Sequence, residues 1–292
     1  MSKVKPISDL TREVYSRLKE PLEAHSTGFE KIDTLINGLL PKALIIIGAR
    51  PRTGKSTIAG QIMHNVSKNL PTLYVSLEMS EEQIITRWAK LYGYTGKSNR
   101  LLMHDIEDDS SFRECLKQIG KHKAFVVERG RTVSEVRAMV EETGAKVVIV
   151  DTLQKMAGKG DGLRENMRDV TDGLKGIAKD FGITVIGVSQ ANRAAASSAI
   201  SEMETLKESG SIEEEGDYVL MLSRIETKTE FEAADGKYPR KLISKEQHMD
   251  FKAGEYFVVC HVAKARDGQE GIVNLRFTSY KHYFEEITPS VF

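Results

Sequence analysis

The chain has 292 residues, 40% hydrophobic and 29% charged, with 42 basic side chains balanced by 42 acidic ones. This composition builds a large core and excludes collagenous, wholly disordered and histone-like polycationic classes. No apolar run approaches the ~20 residues that span a bilayer, and charges interrupt the first twenty positions where a signal peptide would need an apolar core. Two cysteines, Cys115 and Cys260, cannot build a disulfide framework, so a reducing compartment is expected.

Residues 1–25 are a polar, charged leader. Leu10, Val14, Leu18 and Leu22 recur every four residues with Ile7 ahead of them, which predicts one amphipathic helix, capped by Ser8 or Asp9 and ended by Pro21. One helix cannot bury its own stripe, so this face must dock on the body of the chain or on another subunit. Residues 44–47, 73–77, 124–127, 147–150 and 184–188 are short, β-branched runs, as expected of strands buried on both faces. Between them, Ser80 with Gln83 and Thr132 with Glu135 read as capping boxes, and Met167, Val170, Leu174, Ile177 and Phe181 share one helix face. The alternation predicts an α/β fold, a mostly parallel twisted sheet flanked by helices. Beyond residue 223 the pattern turns antiparallel. Residues 256–265 and 272–277 around Asp267-Gly268 predict a hairpin at the C-terminal edge. Residues 225–255 read as a charged, mobile excursion and 194–198 as a flexible loop.

The segment Ala49, Arg50, Pro51, Arg52, Thr53, Gly54, Lys55, Ser56 follows a buried strand and opens a helix from Thr57 to about residue 69. That is the setting of a P-loop, with Ala49 where the generic motif has glycine. Backbone N–H groups and a helix N-terminus then cradle phosphates, Lys55 reaches the outer phosphates, and Ser56 ligates Mg²⁺. The run 147–150 ends in Asp151, the Walker B pattern, which places Asp151 in the Mg²⁺ shell. Glu78 follows the first buried strand after the P-loop helix, where a carboxylate can activate water for attack on the γ-phosphate. Gln190 ends the strand 185–189, where an amide can report the loss of that phosphate. The alternatives are ordinary: a strand-terminal Asp capping a turn, a first-turn helix charge, an exposed strand end. The histidines form no zinc-ligand cluster and no Gly-x-Ser-x-Gly elbow is present.

Taken in order, these motifs resemble the ATPase domain of DnaB-type replicative helicases, a RecA-like fold. The stretches that carry the resemblance are Ser26-Thr27-Gly28-Phe29, residues 48–56 and Ser76-Leu77-Glu78-Met79-Ser80. They continue with Asp151-Thr152-Leu153-Gln154, Ser189-Gln190-Ala191-Asn192-Arg193, residues 208–213 and Lys264-Ala265-Arg266-Asp267-Gly268. The family's own P-loop begins Ala-Arg-Pro, which accounts for Ala49. The resemblance implies that Glu78 is the catalytic glutamate, Gln190 the γ-phosphate sensor, and Lys264 and Arg266 a pair supplied in trans by a neighbouring subunit. Lys207, Glu208 and Gly210 fall in the family's single-strand DNA-binding loop. Without it, Lys264 and Arg266 read as a solvated basic hairpin end and Lys207 as an exposed lysine.

The expected organisation is a linker helix in residues 1–25 packing on a neighbouring subunit, then a RecA-like domain over 26–292. The expected protein is an ATP- and Mg²⁺-dependent homo-hexameric ring that translocates on single-stranded DNA and unwinds duplex in replication, 5′ to 3′ by resemblance. It is expected in the cytoplasm of a bacterium, or of the host if phage-encoded, with a helicase loader as a further partner. The family's helical N-terminal domain receives primase. Only about 25 residues precede the ATPase here, which puts primase coupling through that domain in doubt. Two competing readings differ in outcome: a RecA- or KaiC-like ATPase that assembles on DNA or partners without unwinding, and a monomeric P-loop kinase.

Overall fold

A computed structural model describes residues 5–17, 19, 23–96, 109–158, 163–190, 216–225 and 254–287. Its frame is a nine-stranded sheet in the order β3-β2-β4-β5-β1-β6-β7-β8-β9. Strands β1 (Leu44–Ala49), β2 (Thr72–Ser76), β3 (Ala124–Val127), β4 (Val147–Asp151), β5 (Thr184–Gln190) and β6 (Tyr218–Ile225) pair in parallel. β7 (Glu255–Ala265), β8 (Gly271–Thr278) and β9 (Tyr283–Glu286) extend the sheet in antiparallel sense. The helices are α1 (Ile7–Arg17), α2 (Glu30–Ile36), α3 (Lys55–Ser67), α4 (Glu81–Leu91), α5 (Ser110–Ile119), α6 (Val133–Thr143), α7 (Leu153–Ala157) and α8 (Leu163–Phe181). No helix of the described residues is long and apolar enough to cross a membrane.

Period-two alternation splits the core between the sheet's faces. Ile45, Ile47, Tyr74, Ile149, Ile186 and Val188 share one cluster with α3, α4 and α5. Leu44, Ile46, Leu73, Val75, Val148 and Val150 share the other with α6, α7 and α8. Both capping boxes form, at Ser80 with Gln83 and Thr132 with Glu135. Met167, Val170, Leu174 and Ile177 of α8 are buried as one face.

Three expectations change. Residues 124–127 are a strand, but β3 is the sheet's outer edge and Phe125 is 42% exposed, because only β2 pairs with it. α1 begins at Ile7, so Ser8 and Asp9 lie inside its first turn and do not cap it from outside. The expected hairpin forms between β7 and β8. Pairing with β8 stops at Val262↔Gly271, while Lys264 and Ala265 pair with β6. The loop bends onto α2, where Gln269 N–H donates to the Leu35 carbonyl at 2.7 Å and a Cβ on Gly268 would sit 2.2 Å from that oxygen. The strand patterning did not predict β6 or β9. Residues 18, 21, 22, 194–198, 226–253 and the loop residues Lys207, Glu208 and Gly210 lie outside the described residues.

Between α3, α4 and the segment after α5 lies an aromatic nest. The His64 ring centroid is 4.8 Å from that of His122, 5.4 Å from Trp88 and 5.2 Å from Tyr92. Ser67 Oγ and Tyr92 Oη hold the two His122 nitrogens at 2.7 and 2.6 Å. Burial, then the charge of Lys68 and the His122 ring, lower the His64 pKa from 6.5 to about 4, against a weaker contribution from Asn65. The folded protein therefore refuses a proton that the unfolded chain accepts below pH 6.5, and stability falls as pH drops from 6.5 toward 4. The urea midpoint is expected to decrease between about pH 7 and 4.5, and His64→Phe to flatten part of that decrease.

Candidate nucleotide site

Parallel pairing aligns four strand ends in one row. Ser76 lies opposite Asp151, Asp151 opposite Val188, and Ala49 opposite Gln190. These are carboxyl ends, where open α/β sheets gather their ligand-binding loops. From the end of β1 the chain turns through Arg50, Pro51, Arg52 and Thr53 into α3. Arg52 takes a left-handed φ of 69° and Gly54, the residue before α3, a φ of 103°. Alternating hands turn successive backbone N–H groups inward, an anion-binding concavity at a helix N-terminus. Gly54 is doubly required, since a Cβ there would stand 2.6 Å from Cζ of Phe284.

The side chains converge on that concavity. Lys55 is buried and its Nζ stands 3.8 Å from Glu78 Oε2, while Thr152 Oγ1 donates to Glu78 Oε1 at 3.4 Å. Thr57 is buried one turn-step on, and Ser56 faces Asp151. Asp151 has no exposed surface and accepts from Tyr74 Oη on Oδ2 at 2.8 Å. Its Oδ1 has no hydrogen-bond partner among the described residues. Burial pushes the Asp151 pKa up, and the Ser56 and Tyr74 hydroxyls offset this only in part. Burial and Asp151 together hold Tyr74 protonated well above the ordinary tyrosine range. A hydroxyl beside an orphaned, desolvated carboxylate oxygen is a hard-oxygen donor set that suits Mg²⁺, which keeps most of its water shell. Behind Ser56 a cavity of about 20 Å³, room for one water, is lined by Tyr74, Arg87, Trp88 and His282.

The C-terminal strands brace this loop. Gln61 of α3 donates Nε2–H to the Phe284 carbonyl at 2.9 Å and accepts the Phe284 N–H on Oε1 at 2.8 Å. Two such buried bonds contribute about 1 kcal/mol each. Gln61, Phe284 and Tyr74 carry no motif, and only β9 and the register of β2 against β4 bring them here.

The residues 49–57, Glu78, Asp151 and Gln190 thus assemble at one end of the sheet. Lys264 and Arg266 do not join them. Lys264 pairs with Val219, and Arg266 N–H donates to the Asp217 carbonyl beside Leu44, the first residue of β1. At about 3.3 Å per residue, the length of β1 separates that level from Ala49 by roughly 17 Å. Asp217 binds Leu44 N–H at 2.7 Å, Lys175 Nζ, and Arg266 Nη1 at 3.1 Å. Burial works to raise its pKa, but the Lys175, Leu44 and Arg266 hydrogen bonds outweigh it and hold it low. Asp217 stands between two cations, and the Arg266 side chain is 66% exposed. Neither Lys175 nor Asp217 stood out in the sequence.

A mostly parallel sheet with a P-loop motif, a strand-end Asp and two flanking helical layers is a RecA-like α/β fold. The DnaB-like helicase C terminal domain family matches residues 25–286, and the chain belongs to that family. It is 30% identical over 280 residues to the replicative DNA helicase DnaB of Leifsonia xyli subsp. xyli, covering 90% of this chain and 56% of that one. It is 28% identical over 297 residues to the probable replicative DNA helicase of Trieres chinensis, covering 94% and 60%. The chain therefore spans 56–60% of the length of these relatives. Among solved structures, a DnaB-like replicative helicase described with its primase interactions superposes with a TM-score of 0.70 at 22% identity, covering 98% of this chain and 68% of that one.

Because burial makes the charged form of Asp151 costly, removing the charge relieves the fold while disabling the site. Asp151→Asn is expected to raise the melting temperature by about 2 °C or more in nucleotide- and Mg²⁺-free buffer. The same variant is expected to lose nucleotide hydrolysis in a phosphate-release assay.

Proposed function

We propose that this chain is the motor of a homo-hexameric ring helicase, which hydrolyses ATP with Mg²⁺ to move on single-stranded DNA and unwind duplex in replication. The observation that carries the reading is the placement of Arg266 at the opposite end of the sheet from Lys55. Arg266 cannot reach the nucleotide held by its own copy, and its side chain is 66% exposed. A head-to-tail contact between copies brings the two ends together, and repeated with closure it makes a ring.

In this reading the loop 49–54 and the N-terminus of α3 bind the phosphates, and Lys55 holds the outer ones. Ser56 and Asp151 hold Mg²⁺, which supplies charge neutralisation at the β- and γ-phosphates. Glu78, freed from Lys55 when phosphate takes the lysine's charge, accepts a proton from the attacking water. Arg266 of one copy neutralises charge at the site of the next, with Lys264 beside it, and Gln190 senses the γ-phosphate. Lys207, Glu208 and Gly210, between β5 and β6, hold the DNA backbone without reading bases. The exposed Ile7, Val14 and Tyr15 of α1 cover the neighbouring subunit, as a linker helix over residues 1–25.

The test mixes two inactive proteins. Lys55→Ala donates a finger but has a dead site, and Arg266→Ala has a live site but no finger. Each alone is expected to be silent, and an equimolar mixture to regain up to about a quarter of wild-type ATPase, since about a quarter of random interfaces are then complete. No recovery in mixtures, or full activity of Arg266→Ala alone, sinks the reading, as does a failure of ATP-dependent strand displacement. Val14→Glu is expected to shift the assembly toward smaller species in sedimentation, with the fold intact by circular dichroism.

A further inference from the structure

Strand β5 outlasts one of its neighbours. β4 stops pairing with it at Asp151↔Val188, whereas β1 follows it to Ala49↔Gln190. The edge left open beyond Val188 is filled by one side chain. Gln154, in α7 and three residues after Asp151, accepts the Gln190 N–H on Oε1 at 3.1 Å. Its Nε2 donates to the Gln190 carbonyl at 3.1 Å and to Ser189 Oγ at 2.9 Å. A carboxamide offers the same donor and acceptor as a peptide group. Gln154 thus serves as a one-residue continuation of β4, with both its oxygen and its nitrogen engaged.

The connection matters because of what it joins. One side is the strand end that carries Asp151, with Thr152 on Glu78 between them. The other is the last described residue before the chain leaves the sheet toward residues 206–210. A shift of the Asp151 end moves α7, and α7 holds Gln190 by both its N–H and its carbonyl. We propose that Gln154 is a positioning residue that couples the nucleotide site to the DNA-binding loop through the backbone of Gln190. The proposal rests on the reading of Gln190 as a sensor and of residues 206–210 as a DNA loop. Since the Gln154 amide is spent on Ser189 and Gln190, its loss leaves Lys55, Ser56, Glu78 and Asp151 in place and loosens the hold on Gln190 and its link to the loop.

The experiment compares ATP hydrolysis by wild type, Gln154→Ala and Gln154→Glu, with and without oligo(dT), alongside melting temperature. It also follows the anisotropy of labelled oligo(dT) in ADP and in a non-hydrolysable ATP analogue. In both variants basal kcat and KM are expected to stay within about twofold of wild type, with stimulation by oligo(dT) reduced about fivefold or more. The oligo(dT) affinity is expected to lose its dependence on the bound nucleotide. Gln154→Glu tests the same point with a minimal change, because it keeps an acceptor for the Gln190 N–H but sets a carboxylate against the Gln190 carbonyl. Intact stimulation in both variants overturns the proposal alone. A parallel fall of basal and stimulated rates with a lowered melting temperature also overturns it, by making Gln154 a structural brace. A wild type indifferent to oligo(dT) removes the DNA-loop reading, and the proposal with it.

Discussion

A parallel strand offers its carboxyl end to one side of the sheet and its amino end to the other. In this protein that constraint separates two halves of the proposed reaction centre. Lys55, Glu78, Asp151 and Gln190 stand at the carboxyl ends of β1, β2, β4 and β5, while Arg266 is pinned to Asp217 at the level of Leu44, where β1 begins. The roughly 17 Å between the two levels is more than any side chain reaches, and the sheet is too well packed to shorten it. The proposed assembly between copies follows from the geometry of one copy.

The two buried carboxylates show how environment sets role. Asp151 and Asp217 are both withdrawn from water, at 0% and 6% exposure. Asp217 receives two cations and a backbone N–H and is held ionised below the usual range. Asp151 receives hydroxyls and one distant lysine, keeps an unpartnered oxygen, and is pushed up. The first is a satisfied structural junction. The second is a site under electrostatic tension that, in the proposed reading, a divalent cation relieves.

The antiparallel extension does more than widen the sheet. β9 brings Phe284 beneath Gly54, and Gln61 reciprocates both backbone groups of Phe284, so the strand nearest the C-terminus supports the loop that opens α3. α7 does the same for β5 through Gln154. In both places a glutamine completes a ladder that the backbone leaves unfinished, and in both the supported segment borders the nucleotide site.

Local chemistry made part of this legible from the residues alone. Continuous β-branched runs, two capping boxes and the order Gly54-Lys55-Ser56, Glu78, Asp151, Gln190 suffice for a parallel sheet with phosphate-binding loops on its carboxyl edge, because period and capping are near-neighbour properties. β6 and β9 escaped because no capping box or periodic helix flanks them, while the β7–β8 hairpin was legible and only its packing on α2 was not. The partners of Asp217, the Gln61–Phe284 exchange and the Gln154 clamp join residues far apart along the chain, beyond the reach of any window of sequence. Sequence determined the class of the fold and the chemistry proposed for it. Only tertiary structure decided that Arg266 stands far from Lys55 and that Asp151 keeps an orphaned oxygen, since strand order and burial depend on contacts that no local pattern encodes.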